Sequence, residues 1–200
     1  MSEQVQVERS PDHAIRRSEV VRARVIVADP PWKFGDELPG ATRGAARNYE
    51  VMTVEEIERC LPSLGVEPAD DAVLFLWRVA SMQEEALRVA RAWGFTVKSE
   101  VVWEKLTPNG LPHFGMGRFV RASHEVCLIA ERGRCKPAVR NVRSRFAAKT
   151  PSHKGRAVHS AKPEEFFDLV RAMYPEGPRV ELFARLQHSG FHSIGKELHT

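Results

Sequence analysis

Short apolar runs alternate with helix-like patterns along most of this chain. Almost every position is apolar in residues 24–28 and 72–77, which predicts strands that are buried on both faces of a sheet. Further strands are predicted over 96–103, 124–130 and 180–184. Strands that alternate with helical segments are typical of a three-layer α/β domain with a mainly parallel sheet.

Three helices are predicted between these strands. Thr53, followed three residues later by a glutamate, forms a capping box that starts a short helix reaching about Leu61. The same pattern at Ser81 predicts the cap of a second helix, whose apolar positions recur at helical spacing until Gly94. A third helix is predicted with Pro163 in its first turn, continuing from Glu164 to Met173 until Pro175 stops it.

Length and composition indicate one globular domain. The 200 residues and their 42% hydrophobic content are sufficient for one continuous core. Residues 1–20 are polar and aperiodic, so we expect a tail there and the domain over 21–200. No apolar run has the length of a membrane span and the first residues do not resemble a secretory signal. We therefore expect a cytoplasmic protein with no membrane partner.

The cysteines and histidines do not predict a metal site. Cys60, Cys127 and Cys135 contain no Cys-x-x-Cys pair, so we interpret them as reduced thiols. The eight histidines are scattered, apart from one pair at ligand spacing, His188 and His192. We interpret the histidines as surface or structural residues, and we expect no bound metal.

Positive charge is concentrated in one segment of the chain. The net charge is only +4, but residues 132–156 contain nine lysines and arginines and no acidic residue. Such a segment predicts a phosphate-binding surface, and we name Arg140, Arg143 and Arg145 as candidate contacts to a nucleic acid. The alternative is a solvated loop that has no partner.

A distinctive tetrapeptide, Asp29-Pro30-Pro31-Trp32, directly follows the first predicted strand. In α/β sheets, ligands gather at the carboxyl ends of the strands. Two successive prolines make a stiff segment without amide donors, so we expect its carbonyls to be free to accept hydrogen bonds. Asp29 adds a carboxylate and Trp32 a flat apolar face. The set suits a planar ring with an amino group, such as adenine; the alternative is a rigid turn with Trp32 in the core.

The chemistry that this set allows concerns the amine of such a ring. The amine of adenine is a poor nucleophile because its lone pair is delocalised into the ring. Acceptors for both of its hydrogens would favour the geometry that attack requires, and Asp29 or water could then receive a proton. In a duplex the base must first rotate out of the stack.

The tetrapeptide resembles the signature of the adenine-amine methyltransferases typified by the seventy-kilodalton subunit of the mRNA adenosine methyltransferase. Later blocks of that family resemble further segments of this chain in the same order, namely 74–77, 101–105, 124–128, 159–164 and 180–185. The resemblance covers about residues 24–198. It implies a permuted Rossmann-like methyltransferase fold, S-adenosylmethionine as the cofactor and adenine in DNA or RNA as the substrate.

The resemblance also implies a cofactor site that is built mostly by the C-terminal part of the chain. The matching positions are Asp29, Lys162, Glu181, Arg185, Gln187, His188 and Glu197. Lys162 matches the contact to the amino-acid end of the cofactor, and residues 185–188 match the segment that holds its ribose. Glu181 matches a buried carboxylate that supports this segment. The family's usual Gly-Asn-Glu ending reads Gly195-Lys196-Glu197 here.

Substrate contacts are implied in the same way. Tyr49 and Trp103 match aromatic positions near the target base, and Glu125 matches a carboxylate close to the pocket. The alternatives are loop packing for Tyr49, core packing for Trp103 and a surface ion pair for Glu125.

Several alternatives concern the function as a whole. Resemblance to stand-alone bacterial and viral members favours DNA, with RNA or a nucleoside as the alternative. An inactive nucleic-acid-binding scaffold is a further alternative, and the intact tetrapeptide argues against it. Members of this family often act in pairs, so the resemblance is compatible with a homodimer.

Overall fold

A computed structural model describes residues 20–33, 51–115, 117, 119–153, 156–158 and 160–195 of the chain. The predicted tail lies outside these residues, except for its last position. None of the helices in the described ranges is long and apolar enough to cross a membrane.

The described residues form a large sheet, three helices and a small hairpin. The strands of the large sheet are β1 (Val21–Ala28), β2 (Val66–Arg78), β3 (Thr96–Leu106), β4 (His124–Arg132), β5 (Arg145–Lys149), β8 (Arg179–Leu182) and β9 (His192–Ile194). The hairpin consists of β6 (Ser152–His153) and β7 (Arg156–Ala157). The helices are α1 (Val54–Ser63), α2 (Gln83–Ala92) and α3 (Glu164–Met173).

The order of the strands in the large sheet is β5-β3-β4-β2-β1-β8-β9. Strand β4 is antiparallel to both of its neighbours, β2 and β3. The other pairs in this sheet are parallel. The prediction of a mainly parallel sheet is therefore confirmed for the described part of the chain. β1 is an inner strand between β2 and β8.

Helices cover both faces of the sheet, because alternate residues of the inner strands are apolar on each side. On β2, Leu74 and Leu76 belong to a core with residues of α1 and α2, such as Ile57. Phe75 and Trp77 belong to a second core, with residues of α3. The predicted three-layer α/β architecture is thus confirmed.

Of the two predicted helix caps, the structure confirms one and contradicts the other. The Thr53 capping box is confirmed, since its side chain accepts from Glu56 N at 3.3 Å and its amide donates to Glu56 Oε2 at 2.7 Å. The cap predicted at Ser81 is wrong: α2 begins after Met82, with no side-chain cap hydrogen bond.

Two strands of the large sheet, and both strands of the small hairpin, were not predicted from the hydrophobic pattern. β5 lies within the basic segment and β9 contains three residues. Both are edge strands, and most of their side chains are at least partly exposed. An exposed edge strand needs no apolar run, so its sequence carries little signal.

Candidate active site

Asp29 lies at the carboxyl end of the inner strand β1. The preceding residue, Ala28, pairs with Leu76 of β2 and Leu182 of β8. The amide of Asp29 still donates to the carbonyl of Leu182 at 3.5 Å. Asp29 therefore lies where its position in the sequence predicts, at the edge where the loops of an α/β sheet converge.

Four charged side chains alternate in sign at this edge, and we call them the charge chain: Lys105, Glu125, Lys162 and Asp29. Lys162 Nζ lies 2.5 Å from Asp29 Oδ2 and 3.3 Å from Glu125 Oε2. Lys105 Nζ contacts the other oxygen of Glu125. The charge chain thus brings together Lys162, Glu125 and the tetrapeptide, which are far apart in the sequence.

Lys162 is held in place by more than its two carboxylates. Its side chain is only 5% exposed. Its ammonium also donates to the carbonyl of Ser160 at 2.9 Å and lies 5.1 Å from the centroid of the Trp77 ring. Ser160 adopts a φ of 60°, in the left-handed region, which is uncommon for serine. A buried, fully engaged lysine of this kind is typical of a functional position.

The neighbouring charges and the burial of each group set the pKa values of the side chains in the charge chain. Burial lowers the pKa of Lys162, but Asp29 and Glu125 outweigh that effect and raise it above its usual range. For Glu125, burial raises the pKa, but Lys162 and Lys105 lower it below its usual range. Burial raises the pKa of Asp29, and Lys162 opposes this shift. Asp29 is therefore a stronger proton acceptor than an ordinary aspartate, beside a firmly protonated lysine.

The proline carbonyls are engaged, contrary to the expectation that they are free. The amide of Trp32 donates to Pro30 O at 2.8 Å, and the amide of Met52 donates to Pro31 O at 2.8 Å. The first bond lies within the tetrapeptide, and the second ties it to the segment before α1. Each carbonyl keeps a second lone pair, because a backbone oxygen can accept two hydrogen bonds.

Trp32 and Trp103 both lie in the core. The Trp32 ring is buried and its Nε1 donates to Trp77 O at 3.1 Å. Trp103 is 1% exposed and its Nε1 donates to Ala148 O at 2.9 Å. Neither ring offers an open face in this structure, so the core interpretation describes both better than base stacking.

A cleft of about 760 Å³ lies beside the tetrapeptide, on the face of the sheet that α1 covers. Pro31 and Met52 form part of its lining, and Phe183, Arg185 and Gly195 line it from the segment after β8. Phe183 adopts a φ of 62°. The charge of Arg185 acts on Asp29 and partly opposes the rise in its pKa that burial causes. The cleft has the size and the mixed lining of a ligand site.

Glu181 is a buried carboxyl group on β8. Ser193 Oγ donates to its Oε2 at 3.3 Å. Burial raises the pKa of Glu181 to about 8, with a smaller contribution of the same sign from Asp29. The group is therefore protonated at neutral pH, at a short distance from the charge chain.

The segment after β8 divides between the cleft and the core. His188 is buried, with its ring stacked on Phe167 at 3.5 Å and its Nδ1 2.7 Å from Glu164 Oε2. Burial lowers the pKa of His188, and Glu164 opposes this. Gln187 is exposed. Among the described residues that line the cleft, Arg185 is present but Gln187 and His188 are not.

Two candidate arginines of the basic segment lie on the face of the sheet that α3 covers. Arg140 and Arg143 line a second cleft of about 440 Å³ there, together with Val101 of the core beneath α3. None of the four side chains of the charge chain lines this cleft. Arg145, the first residue of β5, pairs with Glu104 of β3 at 3.2 Å.

Some predicted site residues cannot be placed. Tyr49, Lys196 and Glu197 lie outside the described residues, as does His159 of the block before Lys162. In the described ranges, no group of three or more His, Cys, Asp or Glu residues could hold a metal ion.

Three residues at the site were missed from the sequence: Lys105, Trp77 and Phe183. Lys105 and Trp77 stand in segments that resemble family blocks, and Phe183 lies two residues after Glu181. The sequence contains these residues in recognisable segments, but their contacts depend on how the strands pair in the sheet.

Comparison with known proteins agrees with these features. The model of the MT-A70 family matches residues 23–197. The chain is 28% identical over 195 residues to the Type II methyltransferase M.MunI of Mycoplasma sp, covering 88% of this chain and 77% of that protein.

Two eukaryotic relatives are longer proteins. An N(6)-adenosine-methyltransferase MT-A70-like protein of Arabidopsis thaliana is 29% identical over 181 residues, covering 87% of this chain. The N(6)-adenosine-methyltransferase catalytic subunit METTL3 of Homo sapiens is 28% identical over 175 residues, covering 80%. The chain spans only 23% and 25% of these two proteins.

Proposed function

The chain belongs to the MT-A70 family, and on that premise we propose that it transfers a methyl group from S-adenosylmethionine to the exocyclic amine of adenine in a nucleic acid. The α/β sheet with helices on both faces is consistent with a Rossmann-like methyltransferase fold. The observation that carries the proposal is the position of Asp29, held by Lys162 at the end of β1 and adjoining an open cleft.

The residues present fit S-adenosylmethionine. When bound, this cofactor supplies a methyl group activated by the adjacent sulfonium. The cleft of about 760 Å³ is within the range of small-molecule sites, and Phe183 and Met52 give it an apolar lining for a purine ring. Arg185 lines the cleft and supplies a cation for a carboxylate or another polar group of the cofactor. Lys162 lies next to the tetrapeptide, paired with Asp29.

The family positions divide into two groups in this arrangement. We assign Arg185, which lines the cleft, to direct contact with the cofactor, and Lys162 to the contact with its amino-acid end that the resemblance implies. We assign Asp29 to the boundary between cofactor and target base. Glu181 and His188 hold the segment after β8 from within the core. Gln187 and Glu197 keep the roles that the resemblance implies.

Asp29 is the residue that we expect to bind the target amine. Its Oδ2 is engaged by Lys162, and its carboxyl group remains partly exposed. An amine that forms a new bond to carbon gains positive charge and must lose a proton. The raised pKa of Asp29 suits it to accept hydrogen bonds from the amine and then a proton.

Trp32 and the prolines act as a rigid support for Asp29. The two backbone hydrogen bonds to Pro30 and Pro31, and the indole bond to Trp77 O, restrain the segment on both sides. Restraint of this kind holds a reacting group in one geometry, which lowers the entropic cost of the reaction.

The polymer that carries the adenine is DNA or RNA, and we favour DNA because of the resemblance to stand-alone bacterial and viral family members. Glu125 and Lys105, at the other end of the charge chain, are partly exposed and border the site. We propose that the polymer approaches from their side.

Labelled cofactor tests the proposal directly. The protein is incubated with methyl-labelled S-adenosylmethionine and separate pools of DNA, RNA and nucleosides, which are then digested and analysed by mass spectrometry. We expect label on the 6-amino group of adenine. Asp29→Asn should lower the rate by about 100-fold or more, since it removes the proton acceptor but keeps the shape. Label on no pool, or an unimpaired Asp29→Asn variant, would refute the proposal.

A further inference from the structure

The described residues of the connection between β3 and β4, namely 107–115, 117 and 119–123, expose an unusual amount of apolar surface. We call this connection the arm. Most of the large apolar side chains that are exposed in the described ranges lie in it, with Leu111 64%, Phe114 77%, Phe119 92% and Val120 76% exposed. Clusters of exposed apolar side chains mark interaction surfaces, since a single domain rarely leaves them uncovered.

Backbone hydrogen bonds join the arm to the charge chain. The amide of His113 donates to Lys105 O at 2.8 Å, and the amide of Lys105 donates to Ser123 O at 2.9 Å. Further out, the amide of Gly115 donates to Ala122 O at 2.9 Å. The side chain of Lys105 contacts Glu125, which pairs with Lys162. The arm is thus hydrogen-bonded to Lys105, the outer member of the charge chain.

The charge of the arm has one sign. Between Lys105 and Ser123 the sequence contains no aspartate or glutamate, whereas arginines stand at 118 and 121. The guanidinium carbon of Arg121 lies 5.1 Å from the centroid of the Phe114 ring. An exposed aromatic ring with a cation against it, in a segment without acidic residues, is complementary to a base and its phosphate.

We propose that the arm binds a nucleotide that flanks the target adenine, with the base stacked on Phe114 and the phosphate near Arg121. This inference rests on the proposed function, and it adds a subsite outside the reacting centre. A target base that leaves its stack exposes a face of its neighbour, and an aromatic ring beside the site can cover that face. Stacking tolerates any base, so this subsite adds affinity without sequence preference.

Binding and kinetics together test the subsite. The affinity of the protein for a fluorescent single-stranded oligonucleotide containing one adenine is measured by anisotropy, without cofactor. Phe114→Ala should weaken this affinity by about 5- to 150-fold, as expected for loss of one stacked base. It should raise KM for the oligonucleotide and leave kcat, and the KM for free adenosine, unchanged.

Two variants serve as controls. Phe114→Trp keeps an aromatic face and should bind within about twofold of the original protein. Leu111→Ala removes an exposed but aliphatic side chain from the same arm, so it should also leave binding unchanged. Because all three variants change an exposed side chain, thermal unfolding should show that they are equally stable.

Other results would overturn the inference in distinguishable ways. An oligonucleotide affinity that Phe114→Ala does not alter would exclude the subsite, even if adenine is methylated. Dissociation of a dimer by both alanine variants in sedimentation, with unchanged oligonucleotide binding, would show that the arm contacts a second copy of the chain. Phe114-dependent binding without any methylation would instead refute the proposed function alone.

Discussion

Replacing Glu181 by glutamine should stabilise this protein, and the gain should grow with pH. Glu181 is buried on β8, and its side chain is only 8% exposed. Burial raises its pKa from 4.5 to about 8. The folded protein therefore keeps a proton on Glu181 over a pH range in which the unfolded chain has lost it.

The sign and size of the effect follow from linkage. Between pH 4.5 and about 8 the folded state binds one proton more than the unfolded state at this group, so the free energy of unfolding falls as pH rises. The slope is about 1.4 kcal/mol per pH unit, which gives an upper limit of about 5 kcal/mol over the whole range. Above the pKa of Glu181 in the folded state, its whole contribution to the free energy of unfolding is lost, and this free energy no longer changes with pH through Glu181.

Glutamine keeps the shape of Glu181 and an acceptor for the Ser193 hydroxyl, but it does not titrate. The difference in unfolding free energy between Glu181→Gln and the original protein should therefore rise between about pH 5 and 8, reaching at least about 2 kcal/mol. Urea unfolding at each pH measures it.

A matched control is Glu67→Gln, at an exposed position of β2. Its effect should stay within about 0.5 kcal/mol at every pH, as for most surface substitutions. A difference for Glu181→Gln that is constant with pH, or that shrinks as pH rises, would show that Glu181 is ionised in the folded protein and would refute the argument.

Two further predictions use the caps and the basic segment. Thr53→Ala should cost about 1 kcal/mol of stability in urea unfolding, because it removes an observed cap, whereas Ser81→Ala should cost under about 0.5 kcal/mol. Changing Arg140, Arg143 and Arg145 together to Ala should flatten the slope of log affinity for nucleic acid against log salt by about two, since Arg145 already pairs with a glutamate of β3. An unchanged slope would remove the segment from the interface.

Local features of the sequence were sufficient for most of the fold. The strand before Asp29 is apolar at nearly every position, so it could be placed inside a sheet and the aspartate at its end. The end of α3 was predicted correctly and its start to within one residue, since Pro163 is the N-cap and not part of the first turn. The Thr53 box was confirmed. Helix starts and stops depend on neighbours three or four positions apart, so the sequence carries their signal. Edge strands β5 and β9 lacked such a pattern.

Only the tertiary structure decided which of the candidate residues meet. Asp29 and Lys162 are 133 positions apart, and no local pattern relates them. Glu125 reaches them because β4 is antiparallel to β2, so that the first residues of β4, rather than the last, lie at the edge where β1 ends. The segment after β4 follows the face that α3 covers, so Arg140 and Arg143 line a different cleft from the one beside the tetrapeptide.

The packing of the aromatic rings could likewise not be predicted from the sequence. A tryptophan after a strand can stack on a ligand or fill a core, and its neighbours in sequence are the same in both cases. For Trp32 and Trp103, carbonyl acceptors on other strands and the surrounding apolar side chains settle the matter in favour of the core. The residue types and strand ends were thus determined by the sequence itself, whereas the partners of each side chain depended on strand direction and on contacts between distant segments.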